Sequence, residues 1–278
     1  MAHDYGIAPR FLAITPTRDN DAAPGNRLPD KHSRLFCGKT LDEWCAIQVW
    51  SSLYAGRHIF VAETEEHAEK LMYLTKYGAE IWVRPRDMLS PLNDSGGIIL
   101  HWATKKALAE NWHTLITHPF VVSPCRSPGF FDRMVGGYVN TFGNPDQNRG
   151  QMLLMGGCRT DQAMFAKGKD GYGTQLGEAY INADTSWRIS YETHYMALSA
   201  WWVSYYEVFN SRISTTFSPV IHDIEPWEDL HIDTQDQWDE AEFWFGKKIL
   251  SQGEDCYEKY RASWEDGATG GAGSSLRG

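Results

Sequence analysis

The amino-acid sequence predicts an α/β fold organised on a mostly parallel sheet. Two observations carry that prediction. Between Phe11 and Ser123 short apolar runs alternate with segments of helical period, and Gly, Pro, Asn and Asp gather at the junctions. Strands buried on both faces read as unbroken apolar runs, and successive parallel strands need a right-handed helical crossover between them.

The first strand is the run Phe11-Leu12-Ala13-Ile14. A long polar loop then carries Arg18, Arg27 and Lys31 to a second apolar patch at Leu35-Phe36. Thr40 caps a helix from Leu41, with Glu43 spaced for a capping box. Leu41, Trp44, Cys45, Ile47 and Val49 suit packing on a sheet. Residues 57–62 (RHIFVA) form the second strand. Thr64 starts a helix through Tyr77, on which Ala68, Leu71, Met72 and Leu74 keep a helical period until Gly78 stops it. Ala79–Val83 is a strand ending at Arg84-Pro85, a helix spans about 94–111, and a strand lies within 113–123. Asp236 opens a late helix to Leu250, an acidic residue suited to a helix N-terminus.

A chain of 278 residues, 42% of them hydrophobic, supports one large domain or a domain with a smaller appendage. A net charge of −10 argues against nucleic acid or an anionic membrane as partner, while leaving room for a local basic pocket. Five cysteines without C-x-x-C spacing indicate neither a zinc site nor a disulfide framework, and their odd number points to a reducing compartment. With no signal peptide and no apolar stretch of bilayer-spanning length, the expected location is the cytoplasm. Twelve Trp and 13 Tyr concentrate in the second half. There Tyr191, Tyr195, Leu198, Trp202, Tyr205 and Phe209 recur at helix-like spacing, which suits a dimer interface or a core helix buried on two sides. The Gly- and Ser-rich stretch 266–278 reads as a disordered tail.

The loop after the first strand is where the chemistry is expected. Open α/β sheets bind ligands beyond the carboxyl ends of their strands. Cations and free backbone N–H groups on such a loop suit a polyphosphate. The plain reading of the same loop is a solvated surface turn.

The motifs decide between these. Pro16-Thr17-Arg18 followed by Arg27-Leu28-Pro29-Asp30-Lys31-His32 resembles the N-terminal signature of the acylneuraminate (CMP-sialic acid) and related CMP-sugar cytidylyltransferases. The resemblance continues in order through Gly38-Lys39-Thr40-Leu41, Tyr77-Gly78-Ala79-Glu80 with Arg84-Pro85, Asp94 with the helix through His101, and Ser123-Pro124-Cys125-Arg126. It ends at Asp229-Leu230-His231-Ile232-Asp233-Thr234 with Ala241-Glu242. There are departures. The loop from Arg18 to Leu28 is longer, Asp19-Asn20-Asp21 replaces paired glycines, Asn26 replaces a lysine, His32 an asparagine and His231 an aspartate.

The resemblance implies a Rossmann-like sheet of the nucleotide-diphospho-sugar transferase type with a small dimerisation lobe. Residues 8–140 would be the nucleotide-binding core, 141–215 the dimerisation or acceptor lobe, and 216–252 the return to the core. The implied reaction transfers CMP from CTP to an acidic sugar, sialic-acid-like or Kdo-like, and releases pyrophosphate; a homodimer is implied. Arg18 and Lys31 would neutralise the triphosphate and stabilise charge at the α-phosphate. Arg27, Arg84, Ser123 and Arg126 would contact the nucleotide, and Asp233 would hold Mg2+ that bridges phosphate oxygens. His231 is a poor ligand for so hard an ion. The departures keep two rivals open. One is a nucleotidyltransferase of the same fold that uses another nucleotide, or a phosphorylated sugar or phosphonate acceptor. The other is a catalytically silent homologue acting as a binding subunit.

Overall fold

A computed structural model describes residues 10–19, 28, 31–89, 96–110, 115–142, 153–160, 165–167, 173–175, 186–189, 195–198 and 220–270. Its centre is β1 (Phe11–Pro16), whose apolar run is buried on both faces. Alternate residues serve opposite layers. Phe11 and Ala13 pack with Val49 and the Phe130-Phe131 pair, whereas Leu12 and Ile14 pack with Ile99, Leu100 and Ala103.

β1 pairs in parallel with β2 (Ala55–Ala62) on one side and with β4 (Leu115–Thr117) on the other; β3 (Ala79–Val83) lies in parallel outside β2. Beyond β4 comes β9 (Tyr195–Leu198), antiparallel both to β4 and to β5 (Leu153–Thr160), and β5 pairs in parallel with β10 (Val220–Asp223). The sheet therefore runs β10-β5-β9-β4-β1-β2-β3, with β8 (Ser186–Ile189) antiparallel on β5. β6 (Phe165–Lys167) and β7 (Gly173–Gln175) form a separate antiparallel pair.

Helices cover both faces. α1 (Leu41–Trp50), α2 (Glu65–Leu71), α5 (Gln235–Lys248) and α6 (Cys256–Gly270) share one apolar cluster, in which Trp44, Trp238, Phe245 and Tyr257 meet Phe36 and Phe60. α3 (Gly96–Glu110) covers the opposite face, and α4 (Phe130–Phe142) closes the end beside Phe11 and Leu115. α4 and α6 have no counterpart among the helices expected from the sequence. Among the described residues no helix is long and apolar enough to cross a membrane.

Local chemistry explains most boundaries. Three threonines act as N-caps: Thr40, Thr64 and Thr234 accept from the backbone N–H of Glu43, His67 and Gln237. The capping box expected at α1 forms only half, because the Glu43 carboxylate accepts instead from Lys76 and Tyr77, each at 2.9 Å. The helix expected over Thr64–Tyr77 becomes α2 followed by a tighter turn at Met72–Tyr77, closed by Gly78 at φ 73°. The helical reading of the aromatic stretch fails at Tyr195–Leu198, which is strand β9. A short apolar segment carries no periodicity that separates the two conformations, and pairing to β4 and β5 decides it. The rest of that stretch lies outside the described residues. β5, β8 and β9 all fall within 141–215, so this segment contributes three strands to the main sheet. α6 runs on through Gly270, into the sequence expected to be a tail; residues 271–278 lie outside the described set.

Strand order fixes where a ligand can sit. From β1 the chain crosses to β2 and β3 on one side, then returns to lay β4 against the other. The loops leaving β1 and β4 thus part at the carboxyl ends of neighbouring parallel strands, which opens a crevice there.

Candidate active site

The loop leaving β1 comes back to the body of the protein through two buried anchors, Leu28 and Phe36. The Phe36 ring packs edge-on against Trp238 and Phe245, at 5.3 and 5.2 Å between centroids, and its backbone forms a bridge with Lys39. Arg34 stacks 4.5 Å over the Trp238 ring and donates to Gln235 at 2.8 Å. These contacts strap the loop to the first turns of α5 and place Lys31 beside the residues that precede that helix.

Lys31 Nζ donates to Asp233 Oδ1 at 3.1 Å and to the carbonyl of Ile232 at 3.2 Å. Its side chain is 11% exposed and that of Asp233 41%, so the pair lies at the edge of the crevice. The Asp233 segment is tied in turn to the loop leaving β4, where Ile232 N–H donates to Val122 O at 2.8 Å. Ser123 Oγ lies 3.3 Å from His231 Nδ1, and His231 Nε2 lies 3.5 Å from Asp233 Oδ2. A chain of contacts thus runs Lys31–Asp233–His231–Ser123 across three separate segments. Glu228, almost wholly buried, reinforces the junction by accepting from Ser127 and, at 2.6 Å, from Arg133.

Arg18 is exposed on the same loop, one residue beyond Thr17, whose N–H still donates to Val61 O at 3.0 Å. The field of these cations registers on His32. Burial, then the charges of Lys31, His67 and Arg18, push its pKa down to about 4, so its imidazole is neutral at pH 7. The buried His32 Nδ1 has no hydrogen-bond partner.

The other expected contacts lie elsewhere. Arg84 is buried and paired with Glu63, whose second carboxylate oxygen accepts from the Asp19 N–H at 2.9 Å. Asp19 also accepts from Lys70 at 2.8 Å. Arg84 therefore braces the start of the loop from behind. Arg126 has 0% exposure. It donates to Gln48 Oε1 at 3.1 Å and to Phe120 O at 2.8 Å, and desolvation pulls its pKa down from the usual guanidinium range. This guanidinium stiffens the 120–126 turn from inside the core and presents no surface to a nucleotide. Arg27 lies outside the described residues. Cys125 is buried and free, and burial raises its thiol pKa, as suits a structural rather than a nucleophilic cysteine.

Sequence reasoning missed Glu63 and the His231–Ser123 contact. Glu63 carried one usable signal, an acidic residue at the carboxyl end of β2. The second needed the register of two distant loops.

By sequence, no family model matches this chain and no curated protein does either. Solved structures do match. A 4-diphosphocytidyl-2C-methyl-D-erythritol synthase from Anaerococcus prevotii superposes with a TM-score of 0.60 at 13% identity, over 85% of this chain and 96% of that one. A second 4-diphosphocytidyl-2C-methyl-D-erythritol synthase gives 0.58 at 10% identity, over 86% of this chain and 100% of that one. A CMP:2-keto-3-deoxy-manno-octonic acid synthetase complexed with CTP gives 0.59 at 8% identity, with the same coverage of 86% and 100%. The fold is of the nucleotidyltransferase type. At these identities the likeness is one of architecture, and it spans nearly the whole length of each neighbour.

On that architecture the crevice offers two kinds of chemistry. Arg18 and Lys31 can meet an anion, and Asp233 with His231 can meet a cation. Among the described residues no group of three His, Cys, Asp or Glu side chains could enclose a metal ion. An ion here would have to share its coordination with substrate and water.

Proposed function

We propose that this protein is a cytidylyltransferase that transfers CMP from CTP to an acidic sugar and releases pyrophosphate. The observation that carries this reading is the meeting of Lys31 with Asp233 at the crevice beyond β1 and β4. A phosphate-directed cation and a metal-directed carboxylate are thereby held within one triphosphate's reach. The three matched structures support CTP as donor, since two are named as synthases of a diphosphocytidyl compound and one was solved with CTP.

Lys31, steered by Ile232 O and Asp233, would turn its ammonium toward phosphate oxygens, and exposed Arg18 would meet the same group from the strand end. Such fixed cations act most strongly on charge that develops in the transition state. Asp233 fits magnesium, which is commonly held by one carboxylate together with substrate phosphates and water. When bound, that ion would neutralise phosphate charge. The buried turn at Ser123 and Arg126 would keep the far wall of the crevice rigid.

A thermal-shift panel of CTP, UTP, ATP and GTP, each with and without Mg2+, tests the reading. CTP at about 100 times its dissociation constant should add roughly 2.7 kcal/mol of stability. Selective stabilisation by CTP supports the proposal. Preference for another nucleotide changes the donor, and no response to any of the four rejects a nucleotidyltransferase.

A further inference from the structure

We propose that His231 and Asp233 form the protein half of a divalent-cation site that selects a first-row transition ion over magnesium. The inference deepens the reading above and rests on it for the phosphate that completes the coordination. Its basis is the disposition of four side chains. His231 and Asp233 flank Ile232, whose side chain is fully buried and whose N–H is bound to Val122 O. With Ile232 turned inward, the side chains of His231 and Asp233 face each other beside it. His231 Nε2 and Asp233 Oδ2 lie 3.5 Å apart. An ion ~2.1 Å from each donor would bridge that separation at an angle of roughly 110°, a common opening between two ligands of one metal.

Each donor is also braced from behind. Ser123 Oγ lies 3.3 Å from His231 Nδ1, and Lys31 Nζ donates to the outer oxygen Asp233 Oδ1 at 3.1 Å. A metal-binding imidazole normally donates its other N–H to an oxygen in this way, which fixes the tautomer and aims the free lone pair. The tautomer that carries its proton on Nδ1, toward Ser123, turns the Nε2 lone pair to Asp233 Oδ2, and a cation between the two atoms would then satisfy both. Magnesium gains little from a nitrogen donor, whereas first-row transition ions bind imidazole well. Mn2+ stands at the weak end of that series, so selectivity seen with it understates the rest.

The test uses the full chain with Mn2+ and CTP, protein in excess over the ion, read by pulsed electron paramagnetic resonance. Nitrogen modulation from a coordinated imidazole is expected, and it should vanish in His231→Asp. That variant should also lower the ratio of Mg2+ to Mn2+ needed for displacement by at least ~10-fold. Ser123→Ala, which keeps both donors, should weaken Mn2+ binding by about 10-fold or more. It carries the test if the histidine variant melts early. Absence of nitrogen modulation, or its persistence in His231→Asp, overturns the proposal. Phosphorus modulation reports separately on the nucleotide. Nitrogen without phosphorus would keep the cation site and reject CTP, while phosphorus without nitrogen would do the reverse.

Discussion

Lys31 stands between two possible partners, a carboxylate of its own chain and the phosphates of a ligand. Replacing it with alanine should leave the fold nearly intact, because a pair with one half-exposed member adds little stability. CTP binding, measured by calorimetry, should weaken by ~10–100-fold, the worth of a hydrogen bond to a charged group. Turnover should fall about 10²–10³-fold. Unchanged CTP affinity in a folded Lys31→Ala protein would take this lysine off the triphosphate. At this scale the sequence singled out Lys31 and Asp233 by chemistry and spacing, two residues that meet at 3.1 Å in the fold. It misled at Arg126, because a cation after a strand looks the same whether it faces solvent or Gln48 and the Phe120 carbonyl. Burial of a guanidinium depends on partners that lie far away in the chain.

Among the elements, the turns carry sharper demands than the helices and strands they join. Gly78 and Gly129 both sit at positive φ, 73° and 78°. An added Cβ at Gly78 meets nothing within 4 Å, whereas at Gly129 it would lie 2.7 Å from the Tyr260 ring. Gly78→Ala should therefore lose ~1 kcal/mol from backbone strain alone. Gly129→Ala should lose clearly more, because Tyr260 is held by its 2.8 Å hydrogen bond to Asp132 and cannot swing away without breaking it. Chemical denaturation of the two variants measures both, and equal losses would mean that the Tyr260 contact yields freely. The first three strands and α1 were legible because each is a short apolar run bounded by turn or capping residues such as Thr40, Thr64 and Gly78. β9 was not, since its direction and partners are set by β4 and β5 and by nothing inside Tyr195–Leu198. α6 went unread for a similar reason. Its Tyr257 donates to the Arg126 carbonyl, and its Arg261 donates to Trp50 O at 2.5 Å, anchors that local pattern cannot reveal.

The molecule as a whole should be sensitive to mild acid. Burial depresses His58 and His118 to about 3, and burial with neighbouring cations depresses His32 to about 4. Above pH 6.5 these rings are neutral whether the chain is folded or not. Below it the unfolded chain takes up protons that the folded chain refuses, so stability falls as pH drops from 6.5 toward the folded values. Asp42 opposes this by one proton. Its burial raises its pKa to about 7, so between its ordinary value and 7 it is the folded state that holds the extra proton. From these four groups the net difference is about two protons, or roughly 2–3 kcal/mol per pH unit at the steepest point, and His67, also lowered by burial, adds to the decline. Melting temperature followed from pH 7 to 4.5 should show that decline, and Asp42→Asn should steepen it. A flat profile over this range would mean that the three imidazoles reach water.

The antiparallel strand β9, seated between β4 and β5, also sets a timetable. As the chain leaves the ribosome, β1 to β4 can pair among themselves, but the outer edge of β4 stays open until Tyr195–Leu198 has emerged. An unpaired edge recruits other strands, so this is the interval in which a nascent chain most needs a chaperone. Lys31 waits longer still for Asp233. A ribosome-bound chain would thus carry half a crevice, and nucleotide should protect only chains synthesised past α5.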